Sequence, residues 1–350
     1  MKKPFYSTSF QELEDDLISQ SLPKSGATLL YRWHFKKRKQ EMLVKDLANK
    51  TQKYIEENYH FDIPEIVQVH ESSDQTIKLL IKFFDNLTVE AVLIPFHNKY
   101  TLCLSTQVGC AMNCSFCFTG TQGLKRHLTC EEIIGQFIVA TNFLEELRKD
   151  EEIKKPLKNI VFMGQGEPLH NFDHVKKACE IFLEENGICL GIQKITVSTA
   201  GYLPGIKRWL DEMPRVNIAL SLHSAIEEKR NELIPINKKY PLDEVIHYIQ
   251  NIPLGRKQYV IYEYLLTKDF NDSEEDAHEV GKLLSGSQSI INLIPFNPYP
   301  NAKYLRPTDE KVLQFKNILD SYKLPALIRG TKGDDILAAC GQLNTKNKTT

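Results

Sequence analysis

From residue 101 onward the chain repeats one pattern. A short, mostly apolar run is followed by a polar loop and then by a stretch with apolar positions three and four apart. Strands are predicted at 101–106, 159–163, 194–199, 216–222, 259–266 and 290–296, with a shorter seventh at 326–330. Helices are predicted between them at 130–148, 173–186, 202–211, 242–251, 273–284 and 309–322. Such alternation implies a parallel sheet with right-handed crossovers. Six or seven units imply an α/β fold, a full or partial (β/α) barrel of the TIM type. In such a barrel the polar site lies where strands end. Upstream, 10–21, 28–37 and 42–57 read as helices, whereas 63–97 alternates apolar and polar residues with turns at SSD and DN. That middle stretch reads as a small antiparallel sheet. The expected organisation is a helical accessory domain (1–60), a β extension (61–98), a barrel core (99–343) and a disordered tail (344–350).

Composition narrows the class. The 350 residues are 42% hydrophobic and 25% charged, which excludes collagen, coiled coil and global disorder. Lys+Arg is 44 and Asp+Glu 45, so no overall basicity marks a tail-driven nucleic-acid binder. The N-terminal stretch has no apolar h-region. Residues 101–124 are free of charge but carry Gln107, Asn113, Gln122 and three glycines, against a membrane helix. The expectation is a cytoplasmic protein without a membrane segment, whose eight cysteines are thiols rather than a disulfide framework.

Three of those cysteines form the sharpest signal. Cys110, Cys114 and Cys117, spaced CxxxCxxC, directly follow the first barrel strand. Three thiolates on a short loop can hold three irons of a [4Fe–4S] cluster and leave the fourth iron open to another molecule. A zinc site completed by a distant Cys or His is the alternative, although CxxC pairs are more usual there. Other polar residues follow later strands: GQGEP at 164–168, Ser198, Ser221-Leu222-His223 and Asn297.

CAMNCSFC, with an aromatic before the third cysteine, resembles the cluster motif of radical S-adenosylmethionine (SAM) enzymes. The resemblance implies that the open iron is chelated by SAM and that an electron from the cluster cleaves the sulfonium. It further implies that Gly166 and Glu167 hold the methionine amino group, with Ser198, Ser221, Leu222, His223 and Asn297 as further SAM contacts. YTLCLSTQVGCAMNCSFCFTGTQGLKRHLT, FMGQGEPLHN, ALSLHS, ELIPINKKYPLDEV, NLIPFNPYP and RGTKGDDILAACGQL together are similar, in order, to the RlmN/Cfr family of RNA adenine methyltransferases. That match implies a two-stage route. Cys340 takes a methyl group from one SAM, a second SAM activates it, and a covalent protein–RNA adduct is resolved. Glu90 matches the family's general base, and Cys103 the partner of Cys340 in a transient disulfide. The implied substrates are 23S rRNA and tRNA, methylated at adenine C2, with an electron donor such as flavodoxin or ferredoxin. The C8-methylating branch, a radical SAM enzyme with another substrate, and a zinc-containing RNA-binding protein are the alternatives. A monomer is expected.

The remaining features are weaker. Cys130, Cys179 and Cys189 match no motif and read as structural thiols; His127 and His170 read as solvated loop residues. Phe118 is expected to pack around the cluster or the SAM adenine. Lys24, Arg32, Lys36, Lys37, Arg38, Lys39, Lys45, Lys50 and Lys53 interleave with Tyr31, Trp33 and Phe35. This reads either as phosphate contact with base stacking or as a solvated face over a small aromatic core. The chain departs from the family pattern at SLPKSGATLLYRWHF and at Gln165, where a methionine is more usual.

Overall fold

The computed structural model describes residues 2–39, 41, 44–149, 156–213, 215–255 and 258–344. Its centre is a ten-stranded sheet whose spatial order is the order of the chain. The strands are β1 (Glu65–Glu71), β2 (Ile77–Lys82), β3 (Thr88–Phe96), β4 (Lys99–Cys103) and β5 (Leu157–Phe162). They continue as β6 (Ile195–Thr199), β7 (Asn217–Ser221), β8 (Val260–Leu266), β9 (Ser289–Pro295) and β10 (Ala326–Ile328). From β1 to β4 neighbours pair antiparallel, and from β4 to β10 they pair parallel. The expected partial barrel and its β extension are thus one continuous sheet. The parallel strands read as runs such as ITVST and VIYEYLL, because helices cover the sheet and bury them.

Each parallel crossover carries a helix. Cys130–Leu147 links β4 to β5, and Phe172–Leu183 links β5 to β6. Leu203–Glu212, Leu242–Gln250, Glu274–Leu284 and Asp309–Ser321 serve the later crossovers. Their starts are chemically marked. Thr129 with Glu132, and Ser273 with Asp276, form reciprocal capping boxes that satisfy the first free backbone N–H groups. The sequence reading missed several short elements, two of them near the site. A short helix, Glu227–Leu233, precedes Leu242–Gln250, and a two-stranded hairpin pairs Gln107–Gly109 with Leu124–His127. Both are too short for periodicity to register.

The N-terminal helices need larger corrections. The 28–37 stretch is an α-helix, Ser25–Tyr31, that widens into a π turn, Arg32–Lys36. The 42–57 stretch contributes a helix only at Asn49–Asn58; residues 42 and 43 lie outside the described set. Tyr31 and Phe35 are buried and pack with Phe5. They form the aromatic core of this region and are not available to stack on bases. Trp33, half-buried, carries Lys37 over its ring. The apolar core runs without a break from Phe5 and Tyr31 through Phe137 to Ile218 and Phe315. No helix among the described residues is long and apolar enough to cross a membrane. Of the expected tail, Asn344 is fixed in place and 345–350 lie outside the described residues.

One contact in this region gives a measurable pH dependence. Glu131 lies in the first turn of Cys130–Leu147. Burial first, then the nearby Asp62 and Glu132 carboxylates, push its pKa from the ordinary 4.5 up to about 7. A raised carboxylate pKa means that the fold prefers the neutral acid. The cost of charging it is absent below about pH 4.5 and complete above about pH 7. Glu131→Gln mimics the neutral acid. Thermal melts should show it more stable than the parent by on the order of 1 kcal/mol near pH 8, after discounting for solvent screening, and equal to it near pH 4.

Candidate active site

The C-terminal ends of the parallel strands surround one cavity of about 1070 Å³, counted with its open mouth. Cys110, Cys114 and Cys117 line one wall; Gly166, Glu167, Ser198, Ser221 and His223 line another; Cys340 faces them. The geometry follows the barrel rule, since each group lies just beyond or at the end of a strand.

The cysteine loop is anchored at both ends. Gly109, at φ +76, pairs in the hairpin so closely with Gly123 that a Cβ would fall 1.8 Å from the Gly123 carbonyl oxygen. No other residue type fits that step. Cys110 N–H then donates to Gly123 O (3.1 Å), and Cys117 N–H to Cys114 O (3.1 Å). All three thiols are held in their protonated form. Burial raises Cys110 to about 12, and burial plus the charges of Cys117 and Cys110 raises Cys114 well above the thiol range. Cys117 is raised as well, mainly by burial. A cationic core is what turns such a crowded set into thiolates. Among the described residues no three Cys, His, Asp or Glu side chains converge as the ligands of one metal ion would. A cluster makes a different demand, with each thiolate on its own iron. The donor set fits a [4Fe–4S] cluster better than the zinc alternative.

The opposite wall is built around Glu167. Gly166, at φ +107, brings its backbone so near Gln107 that a Cβ would sit 2.6 Å from the Gln107 Cβ. Gln107 Oε1 in turn accepts the Glu167 N–H (2.8 Å). The Glu167 carboxylate accepts from Leu169 N (3.1 Å) and Ala200 N (2.8 Å). Burial pushes its pKa up to about 7, so an ammonium group placed beside it would supply the charge it lacks. His223, at φ +56, accepts the Leu265 N–H on Nδ1 (3.0 Å) and meets Phe116 edge to face at 4.7 Å. Burial and the Arg230 charge push its pKa down to about 3, so it stays a neutral donor through Nε2.

Two of the expected SAM contacts are not on the cavity wall. The Leu222 side chain is buried in the core and its carbonyl accepts from Arg230. Asn297 is buried with Oδ1 accepting from Thr331 Oγ1 (2.8 Å) and Arg306 Nη1 (3.3 Å). Phe118 is also elsewhere: it stacks on Tyr299 at 4.9 Å, with the rings 5° from parallel, while Phe116 takes the place by the cavity. His127 and His170 are half-buried rather than freely solvated. They pack edge to face at 4.9 Å, and both accept from Gln107 Nε2 (3.0 and 3.3 Å).

The radical SAM superfamily pattern matches residues 104–280. The dual-specificity RNA methyltransferase RlmN of Aliarcobacter butzleri is 40% identical over 347 residues, spanning 95% of this chain and 94% of that protein. The RlmN of Zymomonas mobilis is 39% identical, spanning 96% and 88%. The chain belongs to the RlmN family of radical SAM enzymes. A crystal structure of a radical SAM methyltransferase from Sphaerobacter thermophilus superposes with a TM-score of 0.87 at 34% identity, over 97% of this chain and 99% of that one.

In this RlmN-family protein the remaining expected residues lie in the C-terminal loop (Cys340) or against it (Cys103 and Glu90). Cys340 is exposed, yet desolvation by the neighbouring protein and the Glu263 charge lift its pKa to about 11. Cys103 is buried and packs with Ala338 and Leu343; desolvation, then the Cys340 charge, drive its pKa far upward. Glu90 is buried as well, contrary to what strand alternation alone suggests. Lys78 Nζ pairs with Oε1 (3.0 Å) and the Asn344 N–H donates to Oε2 (2.7 Å). Gln165, the departure from the family pattern, keeps the loop backbone in place. Its Oε1 accepts the Glu90 N–H (2.8 Å), and its Nε2 is buried without a partner.

The C-terminal loop itself is clasped from three sides. Phe118 N–H donates to Gly341 O (2.7 Å) and Thr119 Oγ1 to Leu343 O (2.8 Å), which joins it to the cysteine loop. Ser72 Oγ and Ser73 N–H donate to Asp335 (2.5 and 3.1 Å), which joins it to the β1–β2 turn. Gln342 Nε2 donates to Pro298 O and Asp334 Oδ1 (both 2.8 Å). Sequence reasoning missed Glu263, a buried carboxylate on the cavity wall that accepts from Asn292 Nδ2 (2.8 Å). An acid inside an apolar strand was its one available signal. Cys130 and Cys179 are buried in the core, and Cys189 is exposed.

Proposed function

We propose that this enzyme methylates C2 of adenosine in 23S rRNA, at the peptidyl-transferase centre, and in tRNA on the 3′ side of the anticodon. The observation that carries the reading is that Cys340 and the three loop cysteines line one cavity, 223 residues apart in sequence (340 minus 117). The cluster with SAM supplies the one-electron chemistry that activates a methyl group for an electrophilic ring carbon. Glu167, Ser198, Ser221 and His223 bind and orient SAM. Cys340 sulfur attacks the methyl carbon of SAM; its thiol proton is lost as the S–CH₃ bond forms, and the methyl–sulfonium bond breaks to release S-adenosylhomocysteine. In the second stage its methyl carbon would give up one hydrogen atom to the fragment of a reductively cleaved second SAM and bond to adenine C2, the adduct returning one electron to the cluster that supplied it. Glu90 removes the ring proton once Asn344 releases its carboxylate. Cys103, losing its thiol proton, attacks Cys340 sulfur; the sulfur–carbon bond breaks, the released carbon takes up a proton to become the product methyl group, and the resulting disulfide is reopened by an external reductant.

The functional division follows this reading. Residues 1–60 contact RNA through exposed cations such as Lys24, Arg32, Lys36 and Lys37, residues 61–98 support the C-terminal loop, and 99–343 perform the chemistry. The enzyme acts in the cytoplasm as a monomer, with reducing equivalents from a flavodoxin or ferredoxin. The test is anaerobic reconstitution with iron and sulfide, incubation with rRNA and tRNA, and mass spectrometry of the digested RNA. 2-Methyladenosine is the expected product. 8-Methyladenosine would move the protein to the other branch of the family, and stoichiometric zinc without iron would end the enzyme reading.

A further inference from the structure

Arg230 is fully buried, in the short helix Glu227–Leu233 behind the cavity wall. Four of its five N–H groups donate hydrogen bonds, and among the described residues every acceptor is uncharged. Nε donates to Asn237 Oδ1 (2.8 Å), Nη1 to the carbonyls of Ser221 (2.7 Å) and Leu222, and Nη2 to the Ala200 carbonyl (3.0 Å). The carboxylate that acts on it electrostatically within the protein is Glu227. That acid is exposed and reaches Arg230 only through Asn237, whose Nδ2 donates to Glu227 Oε1 (3.0 Å). Desolvation lowers the pKa of Arg230 to about 10, which still leaves it charged at neutral pH.

A buried cation without a direct counter-ion costs several kcal/mol and persists where something else supplies the anion. The cysteine loop is adjacent. Ala200, whose carbonyl binds Arg230, packs with Cys110 and Cys114 in one apolar cluster. Ser115 N–H donates to Leu233 O (3.0 Å), so the Arg230 helix is tied by its last turn to the residue after Cys114. Cys114 is also the first group whose negative charge would stabilise the guanidinium. Three thiolates outweigh the charge of an oxidised cubane core, and one-electron reduction deepens the excess.

We propose that Arg230 is the built-in counter-charge of the three-thiolate site, a positioning and tuning residue that holds the cluster's reduction potential up. The inference rests on the cluster assignment made above. The four carbonyl and amide acceptors hold the guanidinium still, so its field falls on the cysteine loop at a fixed place. A mobile or solvated cation could not do this, because water would screen it. The ends of β6 and β7, which carry Ser198 and Ser221, are joined by the same guanidinium. Its position is therefore fixed by the strands that form the SAM wall.

The test is the midpoint potential of the reconstituted cluster, followed by electron paramagnetic resonance during redox titration, in the full-length protein. Arg230→Met should shift the reduction equilibrium at least tenfold against reduction, or about 59 mV for one electron. Arg230→Lys, which keeps the charge, should stay within about threefold of the parent. A second design avoids emptying the site. Asn237→Asp combined with Glu227→Gln moves the carboxylate from the surface into direct contact with the guanidinium at constant net charge. It should shift the potential in the same direction as Arg230→Met and raise the melting temperature of the cluster-free protein. If the potential does not move in this double variant, the proposal fails, even if Arg230→Met does not fold. Equal shifts in Arg230→Lys and Arg230→Met would assign the effect to geometry and also overturn it. So would weakened SAM binding at unchanged potential. Absence of iron and sulfide in the parent protein would instead sink the cluster assignment itself.

Discussion

Cys340→Ala is expected to lose RNA methylation altogether, by at least about 10³-fold, while SAM is still cleaved reductively. The residue is the one thiol on the cavity wall outside the cysteine loop. It is held there by contacts of its neighbours rather than its own: Gly341 O binds Phe118 N–H and Gln342 anchors to Pro298. Alanine leaves those contacts intact, so cluster content and melting temperature should match the parent. The raised pKa of Cys340 adds a pH signature. A thiol at about 11 is almost entirely protonated at neutral pH, so methylation of Cys340 should quicken as pH rises. Mass spectrometry of the tryptic peptide, with and without SAM, reads this step directly. Methylated RNA formed at an undiminished rate by Cys340→Ala would refute the covalent route.

Glu90→Gln should act at the other end of the reaction. The methyl group is loaded, the bond to adenine forms, and the chain then stalls with RNA attached. Product is expected to fall about 10²- to 10⁴-fold, the usual range for loss of a general base. The physical case is the carboxylate's setting. Burial raises its pKa, against the lowering pull of the Lys78 charge and the Asn344 N–H. It is therefore a better proton acceptor than an exposed glutamate, and already hydrogen-bonded to the loop that carries Cys340. Glutamine keeps the volume and the acceptor oxygen but cannot take a proton. A slow-migrating protein–RNA species on a denaturing gel is the expected signature. Full product yield without that species would remove Glu90 from the mechanism.

The barrel was legible because its strands are long, apolar and evenly interrupted. The strands from β4 to β10 and the six longer crossover helices all lie where periodicity places them, within a few residues. The cysteine loop was legible because three thiols share one short spacing, and Glu167 because GQGEP, at the end of a strand, resembles a family motif. What the sequence concealed is tertiary. Alternation in β3 marks Glu90 as solvated, whereas Lys78 and the returning Asn344 engage its buried carboxylate. Nothing local distinguishes Asn297, engaged with Thr331 and Arg306, from a residue that faces a ligand. Tyr31 and Phe35 look the same in sequence whether they stack on bases or on Phe5. Arg230 sits in a seven-residue helix with no periodic signal, and its burial is visible only in three dimensions.

The sheet adds strands in the order in which the chain is made, so each new strand pairs with the one just before it. The segment 333–344 breaks that order by reaching back to Ser72 and Glu90, more than 250 residues earlier. It is the roof over the cysteine pocket, and it arrives last. A nascent chain that has finished β10 presents three thiols in an unroofed pocket, open to assembly of a cluster. In the completed chain the same pocket lies beneath that segment and is reached through the open mouth of the cavity. The pocket is therefore completed only when the last segment of the chain folds back onto the first strands of the sheet.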